Sequence, residues 1–209
     1  MKTIECNIHS TEEARAFVEL CEKDFSERID NALESVFAGN DTKIVALSGP
    51  TCSGKTTTAS KLIRPIERSG KRAVVMSIDN FFLDRSDRNV VEGESPDYDS
   101  ADAIDLDYLA HFMKRLNAGL PVLVPYYDFA ATGRTRYDEY YPHPDDIYVF
   151  EGIQAVYPEV TGLFGESFRS IFMNIWEDIR SGDAVPPNAM RTFGSTFFAV
   201  SYVRRSTAR

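Results

Sequence analysis

The apolar positions change their period once within the first 50 residues. From residue 11 to residue 38 they recur every three or four positions, which predicts one long or two short amphipathic helices. Ser10 followed by Glu13 is typical of a capping box, and Gly39 is placed to end the helical run. Residues 43–48 (KIVALS) then form a short, continuous apolar run. Such a run is typical of a strand buried in a parallel sheet.

A second helix and a second strand follow at once. Residues 54–69 keep helical spacing up to Gly70, and residues 72–77 (RAVVMS) form another short apolar run. The order strand, glycine-rich loop, helix, strand predicts a βαβ unit. The fold class expected is therefore α/β, with a mostly parallel sheet flanked by helices.

The rest of the chain alternates between polar stretches and short apolar segments. Residues 79–101 are polar and acidic, too long for a simple connector, which indicates a functional or a disordered loop. A helix is predicted from Leu106 to Leu116, ending before Gly119. The remaining segments are a brief apolar run at 121–125, a polar stretch rich in tyrosine at 126–145, and buried-strand candidates at 147–150 and 171–175.

Composition excludes several classes of protein. The 209 residues carry 23 basic and 32 acidic side chains, a net charge of −9, which argues against a broad nucleic-acid or anionic-membrane surface. With 43% apolar residues the chain can build a core, but it has no apolar run of the roughly 20 residues that span a bilayer. The start has no signal-peptide pattern, and the three cysteines form no CxxC pair. We therefore expect a soluble, cytoplasmic protein.

Residues 49–56 (GPTCSGKT) match GxxxxGK[ST] between the first predicted strand and helix, which predicts a phosphate-binding loop. The glycines let backbone N–H groups converge on phosphate oxygens, Lys55 adds a mobile positive charge, and the Thr56 hydroxyl is an expected magnesium ligand. The thiol of Cys52 is read as a spacer in preference to a nucleophile. The residues predicted to bind ATP are Gly49, Pro50, Thr51, Cys52, Ser53, Gly54, Lys55, Thr56 and Thr57.

Two acids follow later predicted strands, Asp79 after RAVVMSI and Glu151 after IYVF. Carboxyl ends of parallel strands face the ligand in an open α/β sheet, so both acids can face one γ-phosphate. One can serve magnesium while the other accepts a proton from an acceptor hydroxyl. Each also has a simpler explanation as a strand-end cap or a surface charge. The guanine-reading NKxD and switch DxxG patterns are missing from the sequence, which argues against a GTP switch.

Five ordered blocks give the chain a resemblance to the uridine kinase and phosphoribulokinase family: GPTCSGKTT, SIDNFF, SPDYDSADAID, PVLVPYYDFAATGRT and VFEGIQAVY. The resemblance implies an ATP- and Mg²⁺-dependent kinase with a P-loop NTPase-type sheet. It places the general base at Asp79 and a magnesium-assisting acid at Glu151. Lys55 of the phosphate loop is the other residue predicted to be catalytic. Residues 1–40 would be a helical extension and residues 41–209 the kinase domain.

The same resemblance places the acceptor site on five residues: Tyr98, Asp99, Tyr127, Phe129 and Arg134. The aspartate can accept hydrogen bonds from adjacent ribose hydroxyls, and the aromatic residues at 127 and 129 correspond to the family's base pocket. Plain packing is an equal alternative for these two aromatics. For the arginine, a solvated loop charge is the alternative to contact with ligand or phosphate.

Two departures from the family pattern bear on specificity and turnover. Thr132 stands where uridine kinases typically place a histidine that reads the pyrimidine edge. The family's C-terminal RRxxRD-like lid helix has only a loose counterpart in Arg204, Arg205 and Arg209, so the lid is atypical or incomplete. Such arginines stabilise charge on the phosphoryl group in transit.

The sequence therefore predicts ATP-dependent phosphorylation of a nucleoside 5′-hydroxyl, with uridine or cytidine as acceptor. One alternative is a kinase of similar architecture for a sugar phosphate or other small alcohol, with Arg134 and Arg136 as the cations near its acceptor. Another is an ATP-binding regulatory protein without turnover. The expected partners are ATP and a small-molecule acceptor, with no nucleic acid or membrane, and a homo-oligomer is compatible with the sequence.

Overall fold

The computed structural model describes residues 2–6, 9–38, 41–50, 53–87, 97–174, 177–181 and 199–205. The helices are α1 (Thr11–Phe37), α2 (Lys55–Arg68), α3 (Leu106–Asn117) and α4 (Pro158–Thr161). The strands are β1 (Lys2–Cys6), β2 (Ile44–Ser48), β3 (Arg72–Ser77), β4 (Val122–Asp128), β5 (Gly133–Tyr140), β6 (Asp146–Glu151), β7 (Phe168–Asn174), β8 (Glu177–Ser181) and β9 (Ala199–Arg205). In addition, β1 and β8 pair in parallel as a separate two-stranded sheet.

The main sheet has five strands in the order β3-β6-β2-β7-β9. The first four run parallel, and β9 is antiparallel to β7. All four parallel strands correspond to apolar runs in the sequence, so the prediction of a mostly parallel sheet flanked by helices is confirmed. Their carboxyl ends meet at one edge, where the ligand of an open α/β sheet binds.

Both faces of this sheet are covered, which explains why its central strands are apolar throughout. In β2, Ile44 and Ala46 pack into one buried cluster with α3, whereas Val45 and Leu47 pack into another with α1 and α2. Successive strand residues point to opposite faces, so each face needs its own apolar partner. A continuous apolar run is therefore the pattern such a strand must have.

The first helix is one continuous element that packs on the main sheet. The Ser10 hydroxyl accepts from the Glu13 N–H at 3.1 Å and the Glu13 carboxylate accepts from the Ser10 N–H at 3.1 Å, so the predicted capping box forms. Phe25, Ile29 and Leu33 belong to the same buried cluster as α2 and the sheet. The helix thus shares its core with the nucleotide-binding part of the chain.

A β-hairpin occupies the tyrosine-rich stretch that the sequence pattern indicated only as polar. Strands β4 and β5 pair from Val122 opposite Tyr140 to Asp128 opposite Gly133. Most of β5 is exposed, so it needs no apolar face and shows none of the alternation by which a strand is recognised. The sequence pattern therefore gave no prediction of these two strands.

The C-terminal arginines also differ from the family pattern. Arg204 and Arg205 belong to strand β9, in register with Ser170 and Arg169 near the start of β7, and Arg209 lies outside the described residues. The start of β7 is the sheet edge opposite the phosphate loop. Where the family pattern has a lid helix, this part of the chain forms a strand.

No helix in the described ranges is both long and apolar enough to cross a bilayer.

Candidate active site

The predicted phosphate loop joins β2 to α2 at the carboxyl edge of the sheet. A side chain at Gly49 would place its Cβ 2.8 Å from the Met173 carbonyl oxygen, so only glycine fits against β7. Gly54, which precedes α2, has a φ of 77°, a conformation that glycine adopts without strain. The loop turns tightly and leads directly into the N-terminus of α2. Thr51 and Cys52 lie outside the described residues.

Two polar groups of this loop, the Lys55 ammonium and the Ser53 hydroxyl, are suited to an anionic ligand. The Lys55 ammonium donates to the carbonyl oxygens of Gly49 and Pro50, both at 3.0 Å. The Ser53 side chain is fully buried, and its hydroxyl is one of the described polar atoms that lack a hydrogen-bond partner. A buried orphan hydroxyl needs an explanation, and a phosphate oxygen at this loop would supply one. Of the other predicted ligands, Thr56 and Thr57 are exposed on the first turn of α2.

The two acids that follow distant strands come together beside the loop. Glu151 ends β6 and is in register with Leu47 of β2 on one side and Ser77 of β3 on the other. Its Oε2 lies 3.5 Å from the Thr56 hydroxyl, so the two predicted magnesium ligands are in contact. Asp79 sits in the turn that follows β3. Strand order thus brings together a threonine, a glutamate and an aspartate with oxygens suited to magnesium or a hydroxyl group.

The environment of Asp79 raises the pKa of its carboxyl group to about 6. Burial is the largest cause, the negative charges of Glu151 and Asp99 add to it, and the Lys55 ammonium opposes it. All three charges therefore lie within interaction range of Asp79. A carboxyl with this pKa is ionised at neutral pH and more basic than an ordinary aspartate, which suits a general base.

The three predicted acceptor aromatics, Tyr98, Tyr127 and Phe129, form one cluster together with Phe82. Ring centroids of Tyr98 lie 5.3 Å from Phe82 and 5.5 Å from Phe129, and the Tyr98 and Tyr127 hydroxyls are 3.5 Å apart. Tyr127 is only 4% exposed, whereas Phe129 is 53% exposed. The packing alternative thus describes Tyr127 well, while Phe129 offers a ring face that a ligand can reach. Asp99 is exposed beside the cluster.

Arg134 is placed differently from either expectation for it. It lies on β5, its side chain is 7% exposed, and it forms ion pairs with Asp105 at 2.6 Å and Asp84 at 3.9 Å. Its guanidinium also lies 5.2 Å from the centre of the Tyr108 ring. The alternative of a solvated loop charge is wrong, because the group is buried. The described ion pairs are internal, so the prediction that Arg134 binds substrate gains no support from them.

Three residues that hold the acceptor segments in place were missed by the sequence reasoning. Gln154 Nε2 donates to the carbonyl of Tyr98, and the Tyr157 hydroxyl donates to the carbonyl of Asp99 at 3.0 Å. Asn80 Oδ1 accepts from the Tyr127 N–H at 3.2 Å. Gln154 and Tyr157 belong to the same sequence block as Glu151, and Asn80 follows Asp79 directly. In the sequence, these three residues could have been found as polar residues close to the predicted acids Asp79 and Glu151.

Two curated relatives resemble this chain over more than half of its length. It is 32% identical to a uridine kinase of Staphylococcus epidermidis over 117 residues, which are 56% of this chain and 55% of that protein. It is 26% identical to uridine-cytidine kinase C of Dictyostelium discoideum over 162 residues, 74% of this chain and 34% of that protein. The chain therefore spans from about a third to just over half the length of these relatives.

The fold is similar to that of a solved structure described as a possible uridine kinase from Bacillus stearothermophilus. The TM-score is 0.56 at 19% identity, over 83% of this chain and 88% of that one. The family model of the phosphoribulokinase / uridine kinase family matches residues 44–180. These residues run from β2 through the phosphate loop and both acids. The chain belongs to the phosphoribulokinase / uridine kinase family.

Proposed function

We propose that this protein is an ATP-dependent kinase that phosphorylates the 5′-hydroxyl of a nucleoside such as uridine or cytidine. The observation that carries this proposal is the convergence of Asp79 and Glu151 beside the phosphate loop, although 72 residues separate them in sequence. A protein that only bound ATP would need the loop and a magnesium ligand. A second acid with a raised pKa is the additional group that transfer to an alcohol requires.

The nucleotide end of the site has the groups that ATP and magnesium need. The N-terminus of α2 and the buried Ser53 hydroxyl suit phosphate oxygens, and the Lys55 ammonium can exchange its carbonyl partners for the β- and γ-phosphates. Thr56 and Glu151 would hold Mg²⁺ through oxygen atoms. The metal would neutralise charge that develops on the phosphates.

At the acceptor end, Asp79 would take the proton of the hydroxyl that attacks the γ-phosphorus, while that hydroxyl lies in line with the leaving group. Asp99 would accept hydrogen bonds from the ribose hydroxyls, and Phe129 would stack on the base with Tyr98 and Tyr127 behind it. Positioning and electrostatics would supply most of the rate enhancement, since a loose transition state needs little covalent help.

The charges near the acceptor cluster favour a nucleoside over a sugar phosphate. A phosphorylated acceptor needs cations, and the two arginines predicted for that role are both paired with acids. Arg134 binds Asp105, and Arg136 lies 3.2 Å from Asp138. A neutral nucleoside needs an aromatic face and hydroxyl acceptors, and the cluster with Asp99 offers both.

An ADP-release assay over a panel of nucleosides and sugar phosphates tests the proposal. We expect uridine or cytidine to stimulate ADP release. Asp79→Asn should lower kcat by about 10² to 10⁴, the usual contribution of a general base. The rate with the wild type should also fall as the pH drops below about 6, because the base is then protonated, while ATP binding should change little.

The same variant carries its own control for folding. The folded-state pKa of Asp79 is raised, so its charge costs stability at pH 7, and Asp79→Asn should increase the free energy of unfolding. We expect about 1 to 2 kcal/mol, since solvent screening reduces the roughly 3 kcal/mol that the pKa difference corresponds to. Undiminished turnover by a folded Asp79→Asn protein would refute the base assignment. ATP binding without any alcohol-stimulated ADP release would favour the regulatory alternative.

A further inference from the structure

Two acids distant in sequence meet at one buried side chain, Arg134. Its Nη2 donates to Asp105 Oδ2 at 2.6 Å, and its backbone N–H donates to Asp84 Oδ1 at 2.7 Å. Its Nε lies 3.9 Å from the same Asp84 oxygen, within ion-pair range but beyond hydrogen-bond distance. The two acids precede Arg134 by 50 and 29 residues, so these contacts exist only in the folded chain. We call Arg134, Asp84 and Asp105 the clamp.

The Asp84 arm of the clamp ties the hairpin to the segment that carries the proposed base. Asp84 lies five residues after Asp79, and between them Asn80 accepts from the Tyr127 N–H of β4 at 3.2 Å. Next to Asp84, the Arg85 N–H donates to the Thr132 carbonyl at 3.1 Å. The turn of the hairpin is thereby held against the chain that leads away from Asp79.

The Asp105 arm ties the hairpin to the segment that carries Tyr98 and Asp99. Asp105 closes that segment and caps α3, with its Oδ1 accepting from the Tyr108 N–H at 2.9 Å. Its own N–H donates to the Phe81 carbonyl at 2.8 Å, which joins it to the Asp79 segment as well. Its two carboxylate oxygens therefore have different tasks, one at the helix and one at the guanidinium.

We propose that the clamp sets the spacing between the walls of the acceptor site, and that Arg134 is a positioning residue that does not touch the acceptor. The aromatic cluster is built from these three segments, with Phe82, Tyr98, and the pair Tyr127 and Phe129 each on a different one. The planar guanidinium donates to Asp105 while its charge also faces Asp84, an arrangement that the compact ammonium of a lysine on a flexible stem does not reproduce. This inference rests on the proposed function, because it assumes that the cluster binds the acceptor.

The two possible roles of Arg134, positioning the site or contacting the acceptor directly, predict opposite effects of Asp84→Asn on acceptor binding. If Arg134 bound an anionic acceptor itself, Asp84→Asn would remove a competing negative charge and strengthen acceptor binding. If Arg134 positions the site, Asp84→Asn removes the negative charge that pairs with the guanidinium. The hairpin is then held less firmly, and acceptor binding is weaker. Asp84 is 42% exposed on its side chain and asparagine keeps an oxygen for the Arg134 N–H, so this variant should fold.

The test measures KM for uridine, KM for ATP and kcat in four variants. Arg134→Met should raise KM for uridine by roughly tenfold to a hundredfold, the loss that a displacement of about 1 Å can cause, with KM for ATP changed less than twofold. Arg134→Lys should recover only part of the loss, and Asp84→Asn should raise KM for uridine less than Arg134→Met does. Arg136→Met is the matched control, because Arg136 lies on the same strand but is 61% exposed and paired with Asp138.

Coupling and hydrogen exchange complete the test. In the double variant Arg134→Met/Asp84→Asn the effects should be far from additive, since both changes break one arrangement. Amide exchange should speed up in residues 83–85, 103–108 and 127–134 of Arg134→Met, and not in Arg136→Met. Tighter uridine binding by Asp84→Asn would overturn the proposal that the clamp positions the acceptor site. Additive effects on KM for uridine, together with unchanged amide exchange in Arg134→Met, would also overturn it. If the wild type phosphorylates no alcohol, the proposed function fails by that result, and the exchange pattern alone decides whether the clamp exists.

Discussion

The two ends of the candidate active site are built in different ways. The proposed nucleotide end is built around the loop between β2 and α2, and the main sheet fixes the position of this loop through buried apolar packing on both faces. The acceptor end consists of three segments far apart in sequence, which side-chain hydrogen bonds, ring contacts and ion pairs hold together. One end is thus set by backbone geometry and the other by side chains.

This difference indicates which end can change specificity without loss of the fold. A side chain at Gly49 of the phosphate loop would place its Cβ 2.8 Å from the Met173 carbonyl oxygen of β7, so there is little room for variation. At the acceptor end, Phe129 and Asp99 are exposed, so changes there cost little stability. Substitutions at the nucleotide end should therefore reduce turnover of every acceptor, and those at the acceptor end should act selectively.

The largest effect should come from Lys55→Met at the nucleotide end. Loss of one preorganised positive donor to the phosphates should lower kcat at least about a hundredfold, equally for every acceptor that the wild type uses. Lys61→Met is a matched control on the same helix, because Lys61 pairs with Glu22 of α1 away from the loop. A loss that differed several-fold between acceptors would show that the two ends are not separable.

A smaller, selective effect should come from Phe129→Ala at the acceptor end. Stacking on a base contributes about 1 to 3 kcal/mol, so KM for uridine should rise roughly fivefold to a hundredfold while KM for ATP stays within twofold. Phe129 is 53% exposed, so little stability should be lost, and Tyr141→Ala, at a tyrosine that is 64% exposed, serves as the control. With ribose as acceptor the variant should behave like the wild type, because ribose has no base to stack. An equal loss with ribose would assign Phe129 to packing.

The same difference explains what could be predicted from the sequence. The phosphate loop is contiguous, and its glycines, Lys55 and Thr56 have defined spacing, so its position between β2 and α2 was predicted correctly. That Glu151 and Asp79 lie near each other could be predicted because each directly follows an apolar run, and the order of parallel strands brings such positions together. In these cases local pattern and global fold require the same residues.

The acceptor end could not be predicted in the same way. The acids that pair with Arg134 are 50 and 29 residues away, and nothing in the local sequence specifies those contacts. Strand β5 is polar and mostly exposed, so the hairpin that carries Arg134 gave no periodic signal. Gln154 and Tyr157 act on the backbone of Tyr98 and Asp99, a role that depends on tertiary structure alone.

The smallest expected effect concerns the turn of the hairpin, where Thr132 has a φ of 53°. A β-branched residue is disfavoured there, whereas asparagine adopts a positive φ more easily, so Thr132→Asn should raise the free energy of unfolding by up to about 1 kcal/mol. Urea unfolding measures this, with the exposed Thr135→Asn on β5 as a control for the change of side chain. Thr132→Val keeps the branch and should not stabilise the protein. The Thr132 carbonyl accepts from the Arg85 N–H, so a more stable turn should also hold this contact. We therefore expect KM for uridine to be unchanged or reduced in Thr132→Asn. A raised KM would mean that the strained conformation itself serves acceptor binding.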